Sequence, residues 1–431
     1  MKGKILLKNA VAMDPAAGLK NKLDLLIENG RISRLSRNIT PLPDCELINA
    51  ENLWLLPGLI DMHAHSRTPG AEEAEDFKSL TKAALAGGVT SVLAMPNTSP
   101  PQDNPGIIRK LEARRTRETP LNIFFAGTIS KNRSGEKPAD LAGLKKAGVR
   151  AFTDDGSWTE KDLLMREALR FSRKAGLPVL SHCQFPYKDK KAPINEGEIS
   201  RRKNLPGIPR DSEITAVARD ITLAFLSGGK LHLQHMSCLE SLELIKKARE
   251  AGLALTAETC PHYFWFTEKN LENLDTNFKM NPPLRTERDR KAVIAGLKDG
   301  TLDVICSDHA PHTKKMKTLN IYDAPFGIIG LETLLSASLT KLYHAEKLSP
   351  EKIIPLLTSN PARILGLKKK GSLKPGYDAD LSLVNPELVW TPDDFHSKSS
   401  NSPFLGKKLK GRNLITILKG RTVYKNGKFY L

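Results

Sequence analysis

The sequence predicts an α/β chain, with a (β/α)8 TIM barrel over residues 56–370 and a small β-sandwich-like domain built from both termini, residues 1–55 and 371–431. Short apolar strands alternate with helical patterns through the middle of the chain, the mark of parallel βα units. Both ends instead read as strands joined by tight turns. Metal-type ligands recur where the central strands should end, the face on which such barrels carry their sites.

Each element has a local reason. Residues 4–7, 23–27 and 32–35 are apolar strand patterns, the last two joined by Asn29-Gly30, a hairpin-turn dipeptide. The central strands are expected at 59–65, 90–95, 122–128, 149–153, 178–182, 230–235, 254–258 and 303–308. Between them the clearest helices are 161–175, 212–227 and 239–251, the last two ending at Gly228 and Gly252, where a left-handed cap is wanted. Strands return at 380–384, 414–418 and 422–424, with a second turn at Asn426-Gly427.

Composition removes several function classes. A chain of 431 residues with 40% hydrophobic and 26% charged residues folds throughout and carries no biased tract. No apolar stretch is long enough to span a membrane, and Lys8 interrupts Ile5-Leu6-Leu7 before it could be a signal-peptide core. Cys45, Cys183, Cys238, Cys260 and Cys306 show neither a disulfide framework nor zinc-ribbon spacing, so a reducing cytoplasm is expected. The formal charge of +18 gathers in runs such as Lys188-Asp189-Lys190-Lys191 and Arg201-Arg202-Lys203. No nucleic-acid motif accompanies them, so the expectation is a solvated basic surface that draws in small anions.

The chemistry lies in five segments. In a strand, residues two apart face the same way, so His63 and His65 of Asp61-Met62-His63-Ala64-His65 can grip one ion. His182 and His235 each close a later strand and are placed to hold a second, and Asp155 to bridge the two. Asp308, after the last strand, is expected to be both a metal ligand and the carboxylate that moves a proton. Cys260-Pro261-His262 is read as packing and loop geometry, and Cys183 and Cys306 as barrel packing.

At these residues the sequence resembles the amidohydrolase superfamily, and more narrowly the bacterial type I dihydroorotases. The likeness is carried by Pro57-Gly58-Leu59-Ile60-Asp61-Met62-His63-Ala64-His65, Met95-Pro96-Asn97-Thr98, Thr153-Asp154-Asp155-Gly156, Lys279-Met280-Asn281-Pro282-Pro283-Leu284-Arg285, Ser307-Asp308-His309-Ala310-Pro311-His312 and Ala324-Pro325-Phe326-Gly327. It implies reversible closure of N-carbamoyl-L-aspartate to L-dihydroorotate in pyrimidine biosynthesis, with zinc, one or two ions per subunit. It also implies that His63, His65, Asp155, His182, His235 and Asp308 bind metal, with Asp155 where many relatives carry a modified lysine. His65, Arg67, Asn97, Asn281, His312 and the Phe326-Gly327 backbone are then the substrate contacts.

An arginine fork and an asparagine amide suit a ring that bears a carboxylate. The loop 313–318 after His312 is placed to close over it. Ser66, Thr68 and Gln184 depart from the family's pattern at neighbours of the ligands. Two alternatives stay open: another cyclic amidase of the hydantoinase or allantoinase kind, or a non-catalytic scaffold for aspartate transcarbamoylase. A homo-oligomer is expected, with no nucleic-acid or membrane partner and with aspartate transcarbamoylase as a candidate partner of an active enzyme too.

Overall fold

The computed structural model describes residues 3–431, which run through a β-sheet, then a barrel, then back into the sheet. Eight parallel strands pair in chain order: Leu59–Ala64, Val89–Ala94, Asn122–Gly127, Ala151–Phe152, Val179–Ser181, Leu231–Leu233, Leu255–Thr259 and Val304–Ile305. The ring is drawn shut by a parallel bridge between Ala64 and His309 and by the His65 N–H donating to the His309 carbonyl at 2.8 Å. Most residues of these strands are buried, because one face fills the barrel and the other meets the surrounding helices.

All eight strands lie where the periodicity puts them, but several stop short of their ligand. His235 and Asp308 sit at φ of 40° and 47°, in the left-handed region, so the chain has left the ladder before it reaches them. Helices Asp162–Ala175, Asp211–Ser227 and Leu239–Glu250 match the three expected ones. The second ends on Gly228 at φ 63°, as its left-handed cap requires.

Nine of the remaining strands form one sheet fed by both ends of the chain, and the other two, Ile194–Asn195 and Gly207–Ile208, pair with each other. Trp54–Pro57 joins the halves, pairing with Lys4–Asp14 on one side and Leu381–Trp390 on the other. Leu25, Ile27, Leu55, Leu383 and Ile417 fill its buried face. Both turns read from sequence are present: Asn29 and Gly30 have φ of 53° and 78°, Asn426 and Gly427 of 48° and 86°. Apart from the two-residue Lys428–Phe429, two strands of this sheet were not foreseen. Cys45–Asn49 is mostly exposed and carries little apolar signal, and Trp54–Pro57 runs almost directly into the first barrel strand. No helix among the described residues is long and apolar enough to cross a membrane.

Candidate active site

The strand ends converge on a cavity of about 200 Å³ lined by His65, Arg67, Asn97, Asp155, His182, His235, Asn281, Asp308, His312, Phe326 and Gly327. Every residue singled out from the sequence lines it except His63, which is fully buried in the barrel mouth beneath. The volume suits a small metabolite rather than a larger ligand.

His63 is the hub of the donors. Its Nε2 lies 3.3 Å from Asp155 Oδ1 and 3.4 Å from Asp308 Oδ1, and His65 Nε2 lies 3.2 Å from Asp308 Oδ1 and 3.6 Å from Asp155 Oδ2. Across the cavity, His182 Nδ1 is 3.6 Å and His235 Nε2 4.0 Å from Asp155 Oδ1. Asp155 thus faces both histidine pairs, its Oδ1 toward His63, His182 and His235 and its Oδ2 toward His65. Neither His63 Nε2 nor Asp155 Oδ1 has a hydrogen-bond partner among the described residues, although both are buried. Two donors bound to one tetrahedral ion at about 2.0–2.1 Å stand roughly 3.3 Å apart, so these spacings fit a metal. Two triads, His63–Asp155–His235 and His63–His65–Asp308, each bring their ligand atoms within 4.8 Å of one another.

Charge agrees with that fit. Burial disfavours a proton on His63, but the carboxylates of Asp155, Asp308 and Glu258 outweigh it and raise its pKa well above the ordinary value. The converse holds for Asp308: burial opposes ionisation, yet His63 and then His65 bring its pKa down to about 2. Three carboxylates gathered on one imidazole are a surplus of negative charge that a cation balances. His235 carries none of that charge, since burial and then His182 push its pKa down to about 3.

Other residues fix the donors. Glu258 Oε1 accepts from His63 Nδ1 at 2.7 Å, which aims Nε2 at the cluster, and Glu258 Oε2 pairs with His232 Nε2 at 3.1 Å. Gln184, a departure from the family's pattern, has its Oε1 3.0 Å from His182 Nε2 and accepts from Asn281 Nδ2 at 2.9 Å. Asp154, beside the ligand candidate, turns away: its Oδ1 accepts the N–H groups of Ile129 and Ser130. His309 pairs with Glu75 at 3.1 Å and stays out of the cavity. Cys260 and Cys306 are buried with sulfurs 3.4 Å apart, as packing residues would be.

On the opposite wall, Arg67 Nε donates to the Pro311 carbonyl at 2.9 Å, and Nη2 meets His312 Nε2 at 3.2 Å. His312 Nε2 is also 2.8 Å from the Phe326 carbonyl, which makes it a donor and leaves Arg67 Nη2 without an acceptor. Burial pushes Arg67 down to about 10 and His312 to about 3, the latter with Arg67 adding to the effect. Asn97 Oδ1 accepts from His65 Nδ1 at 2.8 Å, so its amide NH2 is free to donate. Gly327 has φ of 124°, and a Cβ there would lie 2.7 Å from that of Ala310. Its N–H is already given to the Lys279 carbonyl at 3.0 Å. Glu258 and Asn401 were not singled out as site-shaping residues from the sequence. Asn401, far along the chain, bonds the Ala310 and Gly327 carbonyls at 3.1 and 3.0 Å.

The amidohydrolase family model matches residues 54–423. Dihydroorotases from Syntrophus aciditrophicus and Geobacter metallireducens are 41% and 42% identical, each over 98% of this chain and 99% of its relative. That of Aquifex aeolicus is 40% identical over 98% of this chain and 100% of the relative. Among solved structures, an L-hydantoinase from Arthrobacter aurescens superposes with a TM-score of 0.89 at 22% identity, covering 100% of this chain and 98% of its own. A D-hydantoinase from a Bacillus species gives 0.84 at 21%, covering 99% and 96%, and both likenesses speak to the fold alone. The chain belongs to the amidohydrolase family, whose members depend on metal. Its full-length relatives place it, within that family, among the dihydroorotases.

Proposed function

We propose that this chain is a dihydroorotase, closing N-carbamoyl-L-aspartate to L-dihydroorotate and reopening the ring, with zinc as its metal. The observation that supports this most is Arg67, a half-buried guanidinium that no carboxylate pairs, opposite a cluster of metal-type donors. A substrate that offers both a ring amide and a carboxylate satisfies the two walls at once.

His63, His65, Asp155, His182, His235 and Asp308 would hold the metal, one or two ions. Bound there, zinc supplies Lewis acidity toward the amide carbonyl and lowers the pKa of water. Asp308, ionised at neutral pH, takes the proton that water gives up and delivers it to the ring nitrogen as the C–N bond breaks. Ring closure reverses this, with the ureido nitrogen giving its proton to Asp308 and the β-carboxyl carbon losing water. Arg67 binds the ring carboxylate as a fork, and the Asn97 amide donates beside it. Asn281 and His312 border the ring, and Phe326 and Gly327 form its wall.

A hydantoinase-like activity has the fold in its favour. Its ring need carry no carboxylate, and Arg67 would then stay unpaired. The test is purified protein, zinc confirmed bound by elemental analysis, incubated with carbamoyl aspartate at mildly acidic pH. Dihydroorotate should accumulate; none at full metal loading refutes the proposal.

A further inference from the structure

The loops that bring His312, Phe326 and Gly327 to the cavity lie outside the barrel sheet. Their inward carbonyls need donors from elsewhere. Two buried lysines provide them. Lys279 Nζ donates to the carbonyls of Ile321 at 2.6 Å, Tyr322 at 3.2 Å and Ala324 at 2.5 Å. Lys317 Nζ donates to those of Gly327 at 3.0 Å and Pro325 at 3.1 Å, with a longer contact of 3.5 Å to Lys279. Each ammonium therefore crosses from one loop to another, and Asn401 adds a neutral staple between Ala310 and Gly327.

Structural need alone would be met by neutral donors such as Asn401. Instead two ammonium groups are buried side by side, and neither has a carboxylate in contact among the described residues; Lys279 Nζ also lies 4.5 Å from the centre of the Phe326 ring, and burial lowers the pKa of Lys279 to about 8 and of Lys317 to about 7. Buried charge without a counter-charge is expensive, and carbonyl dipoles compensate it only in part. What the arrangement lacks is an anion. The cavity wall directly above, formed by Phe326 and Gly327, is where Arg67 and His312 already point to one. The nearest acids, Asp323 and Asp275, act on the pair only at a distance.

We propose that Lys279 and Lys317 are positioning residues for the substrate's carboxylate: they set the loops that carry His312, Phe326 and Gly327, and they lay beneath that wall a positive charge that the bound anion neutralises. This rests on the dihydroorotase proposal. It assigns the lysines no contact with the reacting atoms, so their loss acts on binding more than on turnover.

The experiment compares wild type, Lys317→Met, Lys279→Met and the exposed control Lys247→Met on the helix Leu239–Glu250, each with metal content matched. Kinetics with dihydroorotate are paired with amide hydrogen exchange over residues 310–328. The expected result is a KM raised about tenfold in the first two variants, with kcat falling less than about threefold and faster exchange at Gly327 and Ile328. Lys247→Met should match wild type. If Lys317→Met does not fold, Lys317→Gln keeps a donor for the Gly327 carbonyl without the charge and should raise KM alike. A KM within about twofold of wild type in the lysine variants overturns the proposal, whatever exchange does. Wild-type protein that neither turns over nor binds dihydroorotate would instead sink the function on which it rests.

Discussion

Replacing Arg67 with methionine removes the guanidinium while keeping much of the aliphatic bulk. The group donates to the Pro311 carbonyl and otherwise faces a His312 nitrogen that is itself a donor, so most of its hydrogen-bonding capacity is open to substrate. Deleting one partner of a buried, hydrogen-bonded charge pair costs roughly 2–5 kcal/mol, which is about 30-fold to about 4,000-fold in kcat/KM. Arg67 is half-buried, so the middle of that range applies. We expect a loss of about 300-fold or more on dihydroorotate. Lysine restores a point charge without the fork and should recover about tenfold of the loss. The assay is ring opening followed by chromatography, with dihydrouracil, the same ring without its carboxylate, as comparison. Methionine should change the slow rate on that ring by less than about threefold, since no ionic contact is lost. If dihydroorotate turnover in the variant stays within about threefold of wild type, Arg67 does not bind the carboxylate and the substrate assignment fails.

Three further outcomes follow from the same geometry. Glu258→Gln should weaken metal affinity about 10- to 100-fold, because the His63 Nδ1 proton loses the carboxylate that orients it; chelator competition measures this. Asp308→Asn should lower kcat by about 10²–10⁴-fold, and elemental analysis should still find metal on the remaining five donors. Glu332 gives a pH effect away from the site. Burial raises its carboxyl to about 7, against the pull of the His396 and Ser397 N–H groups, so its contribution is fully present below about pH 4.5 and is lost as pH rises through about 7. That loss amounts to at most roughly 3 kcal/mol, and Glu332→Gln should escape it. Urea unfolding of variant and wild type at pH 5 and pH 8 should show the variant gaining relative stability at the higher pH; no change in the difference contradicts the assignment.

The barrel was legible because each of its strands is a short apolar run bounded by turn residues, which periodicity detects. The ligand candidates were legible for a related reason: they follow those runs directly, and strand phase places His63 and His65 together without any knowledge of the rest. What escaped were contacts between segments far apart in sequence. Glu258 meets His63 across 195 positions, and Asn401 reaches Ala310 across 91. Lys279 and Lys317 look like surface lysines in the sequence, since only the folded loops show that their ammonium groups are enclosed by carbonyls. Two strands of the terminal sheet escaped for local reasons rather than distance: Cys45–Asn49 has little apolar pattern, and the apolar Trp54–Pro57 merges in the sequence with the first barrel strand.

Sequence picked out Asp155 and Asp308 as the carboxylates that face the metal-type cluster, and the geometry adds what the acids behind them do. Arg67, His235 and Asp308 all adopt positive φ, of 55°, 40° and 47°, a conformation that costs a non-glycine residue about 1–3 kcal/mol. Neighbouring acids stabilise the backbone at two of these points. Asp61 Oδ1 accepts the N–H groups of His63 and Ser307 and ties the first strand to the segment before Asp308. Glu213 accepts those of Ser237 and Cys238, just past His235. Asp154 does the same for Ile129 and Ser130, one residue before Asp155. Each is buried, faces away from the cavity, and is spent on backbone amides. The aspartates therefore divide the work: Asp155 and Asp308 present oxygen to the cluster, while Asp61 and Asp154 keep the strand ends in the conformations that let them do so. Loss of the first kind is felt in metal affinity, and loss of the second in the stability of a barrel mouth that holds strained residues open.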